Sequence, residues 1–105
     1  MKMKTSELIG TALDWAVAKC EELQQVTDSR PYFKAYSPST FWNHGGPIIE
    51  RERIDVAYLG AGNTWVAQDA DSQQNELGST PLIAAMRCYV ASKLGDEVEI
   101  PEELI

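Results

Sequence analysis

One histidine and two cysteines are all the chain offers for transition-metal binding or for proton transfer near neutral pH. No spacing gathers them: Cys20 and Cys88 are far apart, neither sits in a CxxC, and His44 has no sequence neighbour that would share a metal. A zinc ribbon and a disulfide framework are thereby excluded, and both thiols are expected free and partly buried within helical segments. There is no GxSxG elbow and no GxGxxG. No Lys-Ser/Thr pair follows Gly45-Gly46, so the usual motifs for acyl transfer, dinucleotides and triphosphates are all missing. We expect no catalytic residue, metal or cofactor. Apolar runs fall short of the roughly 20 residues that span a bilayer, and the opening MKMKTSELIG has charge but no apolar core of a signal peptide. A cytoplasmic protein without membrane contact is expected.

Positive charge is scarce as well. Nine Lys and Arg face sixteen Asp and Glu, a net charge of -7, which opposes binding to a nucleic-acid polymer, whose phosphates are neutralised by basic side chains. Much of the excess lies in the last ten residues, at Asp96, Glu97, Glu99, Glu102 and Glu103.

The 105 residues, 44% of them hydrophobic, suffice for one core. We expect one domain over 1–95 followed by an acidic tail over 96–105. Leu8, Ile9, Ala12, Leu13, Ala16, Val17, Cys20 and Leu23 recur at intervals of three and four and predict a helix over 5–24, with Gly10 able to divide off its first turn. A second helix is bounded by Ser79 or Thr80 as cap, Pro81 in the first position and Gly95 as stop. Ile54–Tyr58 and Thr64–Gln68 predict a hairpin closed by residues 60–63, and Tyr32–Tyr36 reads as another strand. Thr40 to His44 reads as a short helix that Gly45, Gly46 and Pro47 interrupt, with Pro47 alternatively opening a second run over 48–52. Asp69–Leu77 reads as an exposed polar loop of little weight for stability. The result is an α+β domain: an antiparallel sheet of about three strands packed with two main helices and a short one.

Chemistry concentrates between Tyr36 and Ile54, where aromatics, hydroxyls, His44 and two arginines share one stretch. Trp42, Tyr36 and Trp65 are candidate stacking faces, and Ser37, Ser39 and Thr40 are either hydroxyl contacts or caps of the following helix. Arg51 is a candidate fork for a phosphate or carboxylate, and Thr80 opens a helix whose free N–H groups favour an anion. Asp14, beside Trp15, reads as a polar-face carboxylate or cap partner, with a buried carboxylate of raised pKa as the alternative.

Taken in order, LDWAVAK, YSPST followed by Trp, GGPIIERERI, a strand carrying WVA, and TPLIAAMRCYVASKLGDEVEIPEEL resemble the small NinX-like proteins of lambdoid bacteriophages. The resemblance spans nearly the whole chain and extends to small phage α-β-α sandwich proteins. It implies a small antiparallel sheet covered by helices and brings no catalytic residues with it. From these features we expect a non-enzymatic phage accessory protein that captures a small host molecule, such as a nucleotide used as a defence signal, and that self-associates. The alternatives are an acidic module that inhibits a host protein, and, more weakly, a small hydrolase built on carboxylates and His44.

Overall fold

The helix α3 (Pro81–Leu94) occupies the middle of the fold, because its sequence leaves it no polar face. Among its residues only Arg87 and Lys93 are charged, and Leu82, Ile83, Ala84, Ala85, Met86, Cys88, Tyr89, Val90 and Ala91 are all buried. A helix apolar on every side has to be surrounded. Its boundaries match expectation: the Thr80 hydroxyl accepts from the Ile83 N–H at 3.1 Å, Pro81 takes the first turn, and Gly95 ends it. The computed structural model describes residues 1–23 and 36–104; the strand expected at 32–36 lies outside them, apart from Tyr36, which is not in a strand.

One face of α3 is covered by a three-stranded antiparallel sheet, ordered β2 (Ile54–Tyr58), β3 (Trp65–Asp69), β4 (Asn75–Gly78). The expected hairpin is β2–β3, in register from Ile54 opposite Asp69 to Tyr58 opposite Trp65. The third strand corrects the reading of 69–77 as a loop. Asp69 organises the turn that makes β4 possible: its carboxylate accepts from the Asp71 N–H at 2.9 Å and the Ser72 hydroxyl at 3.1 Å, and its own N–H donates to the Gln74 carbonyl.

The other side of α3 receives α1 (Gly10–Leu23) and α2 (Trp42–Glu52). A separate 3-10 turn, Thr5–Glu7, precedes α1, so Gly10 does divide the segment. Helix α2 corrects the expected break, for it runs unbroken through Gly45, Gly46 and Pro47. Pro47 stands inside the helix and removes one interior N–H, while Ile48 is buried and holds the helix against the core. Gly45 is a packing requirement rather than a breaker. A Cβ there would lie 2.4 Å from the Pro38 carbonyl oxygen and 2.6 Å from Leu82 Cδ2. No side chain caps α2, whose N-cap is Phe41, so Ser37, Ser39 and Thr40 are not caps.

Residues 96–105, expected as a tail, carry β5 (Glu97–Glu99), which pairs antiparallel with β1 (Lys2–Lys4). Val98 and Ile100 are buried in the core, and the Thr5 hydroxyl donates to the Gly95 carbonyl at 2.6 Å. Lys2 opposes Glu99 and Lys4 opposes Glu97, so part of the acidic excess is balanced across the ladder. Cys20 and Cys88 are free and buried, and burial pushes both thiols up to about 12.

Two outcomes test this construction. Gly45→Ala should lower unfolding stability by about 2 kcal/mol through overpacking. Gly46→Ala, whose Cβ would meet only Trp42 Cε3 at 3.9 Å, should leave stability unchanged or slightly raised in the same urea titration. For Asp69, burial raises the carboxyl pKa, but the Asp71 N–H and the Ser72 hydroxyl outweigh it and hold the group below the ordinary range. Its ionised form therefore contributes stability above the unfolded carboxylate pKa, and that contribution is lost as pH falls through the folded value. Asp69→Asn should cost about 1.5 kcal/mol at neutral pH, and the gap to the parent chain should close on acidification.

Candidate functional site

The turn before α2 and the first turn of α3 meet around a cleft of about 230 Å³, lined by Ser39, Thr40, Trp42, Thr80, Pro81, Leu82 and Ile83. The meeting is enforced by sequence. Gly45 lets α2 close onto the Pro38 carbonyl and Leu82, which brings the 37–41 turn against the start of α3. Within that turn the Thr40 and Phe41 N–H groups both donate to the Ser37 carbonyl, at 3.1 and 2.8 Å. Trp42, the first residue of α2, is 56% exposed on the rim.

Ser39 is the unusual member. It is 1% exposed, and its N–H donates to Asp14 Oδ1 at 2.8 Å, which ties the turn to α1. Its hydroxyl oxygen has no hydrogen-bond partner among the described residues, although it lies close enough to Asp14 to favour the charged carboxylate. Burial nonetheless raises the Asp14 pKa, against the opposing pull of the Ser39 hydroxyl and N–H and of His44. A buried polar atom left unbonded costs free energy and calls for an explanation.

His44 supports the turn from behind. Its Nδ1 accepts from the Ser37 N–H at 2.9 Å, and its ring is stacked on Tyr36 and met edge-on by Phe41, with centroids 5.4 and 4.8 Å away. With Nδ1 accepting, the neutral ring carries its proton on Nε2. It is therefore not set up as a base for a serine hydroxyl, which needs the opposite tautomer. Tyr36 and Ser37 belong to this supporting layer and do not line the cleft.

Arg51 and Trp65 also lie outside the lining. Arg51 is bidentate to Glu21, at 2.6 and 3.2 Å, while its Nε donates to Glu52 at 2.8 Å and its Nη2 to the Tyr89 hydroxyl at 3.1 Å. The Tyr89 hydroxyl donates in turn to Glu21, and burial followed by that carboxylate drives its pKa far upward. The fork is closed on the protein's own carboxylates. Glu21 and Tyr89 are the residues that sequence reasoning missed, although Glu21 falls four residues after Val17 on the apolar stripe of α1, where a carboxylate requires a buried partner. Trp65 sits on β3 against Tyr58, their rings 5.0 Å apart.

A wider groove of about 590 Å³ lies between β1, β5 and β4, lined by Lys4, Ser6, Glu76, Asp96 and Glu97. It is open and mixed in charge, and burial raises the Glu76 carboxyl pKa. Among the described residues, no group of three His, Cys, Asp or Glu is placed to hold a metal ion, and no helix is long and apolar enough to cross a membrane.

Arg51→Ala should strand the buried Glu21 carboxylate and cost about 2 kcal/mol, less than the roughly 3 to 5 of a fully buried pair because Arg51 is partly open to water. Replacing both charges together, as Glu21→Gln with Arg51→Met, should recover most of that loss in the same denaturant titration.

No curated protein matches the chain. Residues 4–93 match the family described as Bacteriophage P22, NinX, a span that includes the 37–41 turn, the cleft and all of α3. The order of elements and the matched span lead to one conclusion: the chain belongs to the NinX family of bacteriophage proteins.

Proposed function

We propose that this NinX-family chain is a non-enzymatic phage accessory protein that captures a small host molecule in the cleft between the 37–41 turn and α3, acting in the host cytoplasm. The observation that carries the reading is the buried Ser39 hydroxyl, without a hydrogen-bond partner among the described residues, in a cleft that also gathers Thr40, Trp42 and Thr80. An exposed Trp42 offers a stacking face, worth about 1 to 3 kcal/mol for a base, and this favours a nucleotide-type ligand such as a defence signal. The volume of about 230 Å³ is below the roughly 300 Å³ at which sites begin to enclose a drug-sized ligand. A second copy of the chain closing over the cleft would complete the enclosure, which is why the reading includes self-association.

A second reading, an acidic face that docks on a basic host protein, is favoured by Glu76, Asp96 and Glu97 in the wider groove. Its test is the pair Asp96→Asn and Glu97→Gln, since removing 96–105 would also take Val98 and Ile100 out of the core.

The capture reading is tested by native mass spectrometry of the protein purified from its bacterial host, followed by denaturation and identification of the small species released. The parent protein should retain a nucleotide-sized species. Trp42→Ala should lose it while unfolding within about 0.5 kcal/mol of the parent, as expected for an exposed side chain. Equal retention by Trp42→Ala would sink the assignment of the cleft.

A further inference from the structure

We infer that the cleft takes the uncharged ring end of its ligand, a planar lactam such as a nucleobase, and leaves any phosphate in solvent. This rests on the capture reading and adds which end of the molecule is held.

Charge decides first. None of the lining residues is a cation, and Arg51, the basic residue expected to serve a phosphate, is closed on Glu21 and Glu52. Behind the wall stands the Asp14 carboxylate, one hydrogen bond away through the Ser39 N–H. A phosphate would meet repulsion there without neutralisation.

Hydrogen-bonding capacity decides next. A helix start that binds phosphate offers several free N–H groups. At α3 the supply is reduced: Pro81 has none, the Ile83 N–H donates to the Thr80 hydroxyl, and the Ala84 N–H donates to the Thr80 carbonyl at 3.0 Å. The Leu82 N–H, second in the helix, has no carbonyl within its own helix to meet, which leaves a single donor among the described residues, suited to a single carbonyl oxygen. The Ser39 hydroxyl can accept from a ring N–H or donate to a second carbonyl, since a hydroxyl does both. A carbonyl beside an N–H is the edge of a lactam, and Trp42, Pro81, Leu82 and Ile83 supply apolar contact for the ring. The volume of about 230 Å³ fits a ring better than a whole nucleotide.

The test is a titration of ¹⁵N-labelled protein with uridine, guanosine and their 5′-monophosphates, followed at the Leu82 and Ser39 amides. The nucleoside that binds should do so within about threefold of its monophosphate, with an affinity that hardly changes between about 50 and 300 mM salt. Ser39→Ala should weaken both by about tenfold and leave the melting temperature of the free protein unchanged or raised, because it deletes an unsatisfied buried hydroxyl. A monophosphate that binds about tenfold tighter than its nucleoside, with steep salt dependence, would put the phosphate in the cleft. That result overturns this inference and leaves capture standing. Unchanged binding by Ser39→Ala also overturns it. If no compound moves either amide up to millimolar concentration, the inference fails, and an empty native mass spectrum beside it removes the capture reading as well.

Discussion

Everything in this fold depends on α3 having no side left for water. Its few polar groups fasten neighbours, even where, as at Lys93, the residue also reaches solvent. Arg87 donates to the Leu8 carbonyl ahead of α1 and to the Leu77 carbonyl of β4, both at 2.8 Å. The Cys88 thiol reaches the Gln74 carbonyl, Tyr89 joins Glu21 and Arg51, and Lys93 pairs with Glu52 at 3.4 Å. Between them these bonds reach the segment ahead of α1, α1 itself, α2, and β4 with the turn before it, so the packing sets how close the layers come and these contacts set their register.

The cleft follows from the same arrangement. The first turn of α3 borders the cleft, and Gly45 lets the 37–41 turn press against it. Asp14 and His44 hold that turn by its N–H groups, at Ser39 and Ser37. Among the described residues, the hydroxyl of Ser39 is what the arrangement leaves without a partner.

Local signals carried much of this in the sequence. The capped, Pro-initiated α3, the β2–β3 hairpin and the division at Gly10 are written in neighbouring residues, where turn and cap chemistry acts. Strand β4 was not legible because NELG presents one apolar side chain, and its existence depends on the Asp69 turn. KMK and EVE alternate as strands should, yet each is three residues long and finds its partner across most of the chain. Helix α2 was misread because Gly-Gly-Pro breaks helices by propensity, whereas here tertiary packing asks for Gly45. At the site, Ser39, Thr40, Trp42 and Thr80 were recognisable by type and do come together. Arg51 lies outside the cleft because its partner stands thirty residues earlier, and nothing local announces an ion pair of that reach.

The β1–β5 ladder also governs when the protein can become itself during synthesis. Val98 and Ile100 fill core positions that α1 and α3 alone leave open, and Met3 has no strand partner until Val98 is present. Translation delivers roughly 5 to 20 residues per second, so the β2–β3 hairpin is made some seconds before Ile100, whereas α3 precedes that residue by about a second or less. Until then the inner faces of α1 and the hairpin lack part of their cover. The nascent protein is then at its most exposed to chaperones, proteases and misassociation, and the pairing of Lys2–Lys4 with Glu97–Glu99 ends that exposure in one late step.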